Sequence, residues 1–181
     1  AVNATVTHLA QSATAPDPVS GAWVPDNRVW IVCTNLTLNA NKTIDVEGKG
    51  YDGYSGPGRG NDYSGGSHGG RGEKGSGPTY GSAEAPIDPG SGGCGSTVAG
   101  VGGAGGGVIR IEASGAVTLH GTVSARGKPP PAVVGAGSGG SVFITCRTLA
   151  GGGTVSANGG TSANVYSGGG GGGRIAVLYD P

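Results

Sequence analysis

Three cysteines and three histidines are the side chains of this 181-residue chain best suited to metal binding or nucleophilic chemistry. The histidines have no ligand spacing to one another or to a cysteine, so we expect no metal site. An odd number of cysteines rules out complete pairing within one chain. Buried thiols are the default for such residues, and the alternative is a disulfide from Cys94 to Cys33 or to Cys146.

Two glycine-rich stretches, 100–105 and 135–140, match the dinucleotide-binding fingerprint by letter. That fingerprint works because it places a pyrophosphate at the N-terminus of a helix. Both stretches lead into Val/Ile segments typical of strands, so we expect no nucleotide and no other cofactor. No close pair of carboxylates stands out as the acid and base of a glycosidase. The sequence therefore predicts that the protein is not an enzyme.

The aromatic residues are few, and most of them lie among glycines or near the N-terminus. Spaced rings on a surface of small residues could stack on sugar rings or on another subunit. The alternative is that the rings pin the glycine tracts to the body of the fold. The candidate ligand or assembly contacts are Tyr51, Tyr54, Tyr63, Tyr80, Trp23 and Trp30.

Charge and hydropathy argue against two classes of partner. The formal net charge is +0, so the basic footprint of a nucleic-acid-binding protein is missing. No apolar run approaches the length of a membrane span. Sequons at Asn3, Asn35 and Asn41 are candidate glycosylation sites. The chain begins at Ala1 without methionine, which is typical of a processed exported protein or of a fragment, and we expect an extracellular or cell-surface location.

The strongest pattern in the chain is a repeat that positions apolar residues. Alternating segments start at Ile109, Val142 and Ile175, which gives a steady period of 33 residues, and an earlier copy starts at Val29. A second, shorter phrase follows in the same order. Regular periods of this size mark stacked or solenoidal folds. The repeat predicts that these four residues lie in one buried column.

Each full copy contains three short strands with Ser/Gly corners, near 109–113, 117–119 and 122–126 in the clearest example. Alternation with β-branched residues on one side is the signature of a half-buried strand. We predict an all-β fold, a parallel β-helix or solenoid of about three to four coils, in which each strand pairs with its equivalent one coil along. The alternative is an antiparallel β-sandwich.

Glycine is abundant, with 43 residues, and most of it lies in tracts between the coils. The tracts are 48–107, 127–141 and 159–173. The last contains six consecutive glycines, which offer no side chain to pack. Such tracts are either flexible or packed backbone against backbone as polyglycine II helices. Their regular spacing relative to the strands favours ordered packing.

The glycine-rich phrases around the strands resemble the repeat modules of large bacterial surface and secreted proteins. The phrases are 105–111, 139–145, 153–160 and 171–177, and the stretches 48–51 and 56–60 are similar to what precedes such modules. The likeness covers about residues 29–179. It implies an extracellular setting with an adhesive or scaffolding role, and it carries no catalytic residue that could be transferred.

We divide the chain into an N-terminal strand, cap or subunit-linking segment, 1–28, and a glycine-rich β-solenoid, 29–181, with an irregular insertion at 48–107. The two ends of a solenoid carry unpaired backbone groups that must be capped or used. Residues 2–7 alternate like a free strand, and 175–179 is the terminal strand at the other end. We predict that one subunit's end is completed by its neighbour, in head-to-tail contacts that build a filament or surface layer.

Two other functions compete with this prediction. A carbohydrate-binding adhesin domain would use the tyrosines of the glycine region to contact surface glycans. A polysaccharide-degrading β-helix enzyme would need a groove lined by arginine and carboxylates, assembled from different coils. The expected partner under the first prediction is a second copy of the chain.

Overall fold

A computed structural model describes residues 1–95, 102–130, 133–162 and 164–179. These residues form ten β-strands and no helix. The strands are β1 (Val29–Cys33), β2 (Leu36–Leu38), β3 (Thr43–Asp45), β4 (Val108–Ala113), β5 (Ala116–Leu119), β6 (Thr122–Ser124), β7 (Ser141–Cys146), β8 (Thr148–Ala150), β9 (Thr154–Ser156) and β10 (Arg174–Tyr179). The described part of the chain contains no helix long and apolar enough to cross a membrane.

The strands form three parallel sheets that the chain visits in turn. Sheet 1 has the order β1-β4-β7-β10, sheet 2 the order β2-β5-β8, and sheet 3 the order β3-β6-β9. Every strand pairing among the described residues is parallel. The prediction of an all-β fold with parallel strands is confirmed, and the antiparallel sandwich is wrong.

The register of sheet 1 is the one that the repeat predicted. Val29 pairs with Ile109, Ile109 with Val142, and Val142 with Ile175. Ile109 and Val142 are fully buried. Because successive side chains point to opposite faces of a strand, a register fixed by the repeat keeps every inward position in the same interior.

The interior enclosed by the three sheets is aliphatic. Burying one such side chain contributes about 1.5–3 kcal/mol, so this interior is the main source of stability for the strands. Its best-buried members are Leu38, Ile44, Val46, Ile109, Ile111, Val117, Val123, Ala125, Val142 and Ile144. Cys33 and Cys146 lie at the edge of the same cluster, as the repeat predicted.

The N-terminal segment adds a layer to sheets 2 and 3. Val2 forms a parallel bridge with Leu38, and Val6 forms one with Ile44. The Val6 N–H donates to the carbonyl of Thr43 at 2.9 Å. The segment that alternates like a free strand is therefore bonded along one edge to its own chain, and Val2 and Val6 pack against the core.

The glycine tracts occupy the return from sheet 3 to sheet 1, and we call their described residues the glycine bundle. The Gly105 N–H donates to the carbonyl of Tyr51 at 2.9 Å, and the Gly106 N–H donates to that of Ser138 at 2.8 Å. The Gly106 carbonyl accepts from the Gly90 N–H at 2.8 Å. Two consecutive residues thus bond to three different segments, whereas a sheet strand bonds to neighbours in one plane.

At many positions of the bundle glycine is required, because another backbone approaches too closely for a side chain. A Cβ at Gly137 would overlap the carbonyl of Ala104, and a Cβ at Gly170 would overlap that of Gly137. Gly172, by contrast, has nothing within 4 Å of its Cβ position. The tracts are therefore packed backbone against backbone, in the way that their regular spacing favoured.

Candidate functional site

Two of the candidate tyrosines are part of the packing of the glycine bundle. Tyr51 is only 1% exposed, and its ring makes an edge contact with Trp23 at a centroid distance of 5.0 Å. The Tyr80 hydroxyl donates to the carbonyl of Pro89 at 2.6 Å and bonds to the Ser91 hydroxyl at 2.9 Å. Burial raises the pKa of both phenols. Tyr51 and Tyr80 therefore pin the bundle, which is the alternative role that the sequence left open for these rings, and a contact of either ring with a ligand or another subunit stays a prediction.

Tyr54 and Tyr63 are half-buried and adopt a backbone conformation that is uncommon for large side chains. Their φ angles are 64° and 58°, in the left-handed region where glycine is usual. Tyr54 lines a small pocket together with Asn61, Asp62 and Cys94. This pocket brings the Tyr54 ring next to amide and carboxylate groups, which supports Tyr54 as a candidate ligand contact, and the same role for Tyr63 stays a prediction.

His68 is a buried polar residue that the sequence did not single out. It is fully buried, its Nδ1 lies 2.9 Å from the Gly139 carbonyl, and its ring lies 4.8 Å from that of Tyr80. Within the described residues its Nε2 has no hydrogen-bond partner. Burial lowers the pKa of His68, and the charge of Arg174 lowers it further. A histidine in a glycine tract gives no periodic signal, so its burial could not be predicted.

The cysteines do not form the disulfide that the sequence left open. Cys33, Cys94 and Cys146 are all free thiols. Cys94 lies in the glycine bundle, where its thiol donates to the carbonyl of Gly60 at 2.9 Å, while the other two lie in sheet 1. Burial raises the pKa of the Cys94 thiol. A bridge from Cys94 to Cys33 or Cys146 is therefore absent because the thiols belong to different parts of the fold.

The three sequon asparagines are exposed and lie at the N-terminal end of the stack. Asn3 accepts a hydrogen bond from the Asn39 side chain at 2.5 Å. Asn35 accepts one from the Ala116 N–H at 2.8 Å and so holds the corner between β1 and β2. Asn41 lies in the turn before β3 with a φ of 62°. Glycosylation of these residues stays a prediction.

The two ends of the stack expose different sheets. At the C-terminal end, β10 is the outermost strand of sheet 1, while β8 and β9 are the outermost strands of sheets 2 and 3. Core positions are uncovered there, since Ile175 is 47% exposed and Leu149 is 41% exposed. At the N-terminal end, β1 is outermost in sheet 1, and the segment around Val2 and Val6 is outermost in the other two.

The outer face of sheet 1 carries a second candidate contact, Trp30, which is 54% exposed. The Arg110 guanidinium lies 5.0 Å from the centroid of Trp30 and 5.8 Å from that of Phe143. Arg110 also forms an ion pair with Glu112, two residues along the same strand. A cation held between two aromatic rings is stabilised by their electron-rich faces.

Comparison with known proteins adds no assignment to these features. The described residues contain no group of three or more His, Cys, Asp or Glu side chains that could hold a metal ion. No protein-family model matches the chain, and no curated protein and no solved structure matches it. Inferences about function therefore depend on the geometry of the ends, the bundle and the outer face of sheet 1.

Proposed function

We propose that this chain is a structural module that stacks end to end with further copies to build an extracellular filament or surface layer. The supporting observation is that the two ends have complementary steps. At the C-terminal end, β10 extends sheet 1 one strand beyond the last strands of sheets 2 and 3. At the N-terminal end, the segment at Val2 and Val6 extends sheets 2 and 3 one layer beyond the first strand of sheet 1. These steps fit together when one copy is set on the next.

The strand count agrees with this fit. The two N-terminal bridges and the ten strands together complete four turns around the three sheets. In a stack, β10 of one copy pairs with β1 of the next, while β8 and β9 pair with the N-terminal segment of that next copy. All these pairs are parallel, because the N-terminal bridges are parallel like the strands.

The energetic support comes from the uncovered core at the C-terminal end. Ile175 and Leu149 continue the buried columns of Val142 and Val117. Covering them with the next layer removes apolar area from water, at about 25 cal/mol per Å². It also gives partners to three rows of backbone N–H and C=O groups, which unpaired strand edges leave open for association.

The glycine bundle would give such a stack its stiffness. We assign its extended tracts to polyglycine II, because consecutive residues such as Gly105 and Gly106 bond to neighbours in different directions. Polyglycine II has three residues per turn and no internal hydrogen bonds, so its peptide groups are free to bond outward on all sides. A bundle of this kind resists shear in more than one direction. No catalytic role is part of this proposal.

Light scattering over a range of concentrations and negative-stain microscopy test the stacking. We expect open-ended oligomers that lengthen with concentration. Ile175→Lys places a charge on the uncovered core end and should stop end-to-end growth, so that each stack is one copy long. Because Ile175 is 47% exposed, the fold should survive the change. Val165→Lys, at a residue 79% exposed and outside every strand, is the matched control and should assemble normally.

Two results would reject the stacking proposal. One is a wild-type protein that stays monomeric at high concentration. The other is assembly that Ile175→Lys and Val165→Lys leave equally intact. Circular dichroism of both variants shows whether the β-structure is retained.

Glycan binding is a second candidate, and the pocket at Tyr54 favours it. An aromatic ring beside the Asn61 and Asp62 side chains combines a stacking surface with hydrogen-bonding groups for hydroxyls. Tyr54→Ala should abolish binding on a glycan array, whereas Tyr166→Ala, an exposed tyrosine outside this pocket, should not. Equal binding by both variants would remove this candidate.

A further inference from the structure

The outer face of sheet 1 has two columns of side chains that match each other layer by layer. The first column runs Trp30, Arg110, Phe143, Ala176, and the second runs Val32, Glu112, Thr145, Leu178. At the four layers, a large ring stands beside a small aliphatic, a cation beside an anion, a ring beside a small polar residue, and a methyl group beside a leucine. Phe143 is only 6% exposed, so the columns present complementary side chains to solvent at the other three layers.

We infer that this face binds the same face of a second copy, side by side, about a two-fold axis parallel to the stack. Rotation about such an axis leaves each layer of one copy at the height of the same layer in the other copy. It sets the first column of each copy opposite the second column of the other. Trp30 then meets the partner copy's residue 32, and the Arg110–Glu112 ion pair of each copy faces the same pair of the other with the opposite charges in contact. Trp30 at 54%, Val32 at 69% and Leu178 at 52% exposure are the apolar surface that the contact covers.

A ridge and a groove border the two columns on opposite sides. The ridge is residues 81–89, which are held against the start of β7 by the Ser141 hydroxyl, a donor to the Asp88 carbonyl at 2.6 Å. The groove lies at the corner after sheet 1 and is lined by Ser114, Thr145 and Arg147. The same two-fold axis sets the ridge of each copy over the groove of the other.

Charge is complementary in this outer contact as well. The ridge carries Glu84, which is exposed, and Asp88, and the groove carries the exposed Arg147. A self-complementary contact closes at two copies. It is therefore distinct from end-to-end stacking, which is open-ended, and it does not depend on that proposal.

Charge reversal at the ridge and the groove tests the inference with exposed residues only. Glu84→Arg sets two arginines against each other in the pair, and Arg147→Glu sets two acids against each other. We expect each variant alone to weaken side-by-side association at least about tenfold. An equimolar mixture of the two should restore it, because both contacts then join an arginine to a glutamate.

Sedimentation velocity in the Ile175→Lys background separates dimers from stacks. The pair Arg110→Glu and Glu112→Arg, mixed in the same way, extends the test to the two columns, and Lys42→Glu, on the turn between β2 and β3, is the control for net charge. If the Ile175→Lys protein, with no further change on this face, forms no dimer, the inference is overturned. Single variants that weaken the dimer but are not rescued by mixing would overturn it too, since that result places their effect within one copy.

Discussion

The three sheets and the glycine bundle lie side by side in one fold, yet they are held together by different parts of the chain. In the sheets, the interior is filled by side chains such as Ile109 and Ile144, both fully buried. In the bundle, the interior is filled by the backbone itself, and Gly137 lies against the carbonyl of Ala104. A side chain is needed at the core positions of the first region, whereas at glycines such as Gly137 in the second region even a Cβ does not fit. The two regions should therefore respond in opposite ways to a gain of volume.

The largest effect is expected when a methyl group is added to the bundle. At Gly137→Ala the new Cβ meets the backbone of residues 104 and 105, which cannot rotate away as a side chain does. We expect the free energy of unfolding to fall by about 4 kcal/mol or more, in the range that marks severe overpacking or strain. Chemical denaturation measures it.

Gly172→Ala is the matched control for that prediction, since nothing lies within 4 Å of its Cβ position. Its free energy of unfolding should stay within about 0.5 kcal/mol of the wild-type value. Equal losses in the two variants would contradict packing by backbone contact.

A somewhat smaller effect is expected when volume is removed from the sheets. Ile144→Ala leaves a cavity between the layers of Ile111 and Val177, and such truncations cost about 2–5 kcal/mol. The milder Ile144→Val should cost about 1 kcal/mol, and denaturation curves should rank the two variants in that order. An Ile144→Ala protein as stable as the wild type would show that side-chain packing does not hold this region.

The smallest effect concerns pH and is confined to the bundle. Burial lowers the pKa of His68 below its ordinary value of 6.5, against a raising effect from Asp88. The unfolded chain therefore binds the proton more tightly than the folded one. The contribution of neutral His68 to the free energy of unfolding is fully present above about pH 6.5. It is lost as the pH falls towards the folded pKa, by at most about 1.4 kcal/mol per pH unit for one group.

Thermal melts between about pH 5 and 7 measure this loss. His8, whose pKa burial also lowers, contributes in the same direction, so the comparison is with His68→Asn. As the pH falls, the melting temperature of the His68→Asn variant should decline less steeply than that of the wild type. An unchanged decline would mean that His68 is not the group that senses acid in the bundle.

The strands could be predicted closely because their signal repeats. Val29, Ile109, Val142 and Ile175 recur with the same alternation, and a parallel stack is the arrangement that brings them into register. The candidate site was predicted less well. Tyr51 and Tyr80 pack in the glycine bundle, which was one of the two roles left open for the rings. The N-terminal segment was predicted as a strand, cap or subunit-linking segment, but its bridges to Leu38 and Ile44 could not be specified, because a single unrepeated strand does not reveal which edge it joins.

The amino-acid sequence by itself determined the period, the inward columns and the location of the glycine tracts. Each of these follows from local chemistry, since alternation fixes the face of a strand and a missing Cβ permits close backbones. The tertiary structure alone decided which glycine segments touch, where His68 and the tyrosines are buried, and which layers are exposed at the two ends. Those outcomes depend on contacts between distant parts of the chain. Glycine tracts of similar sequence do not specify which tract packs against which.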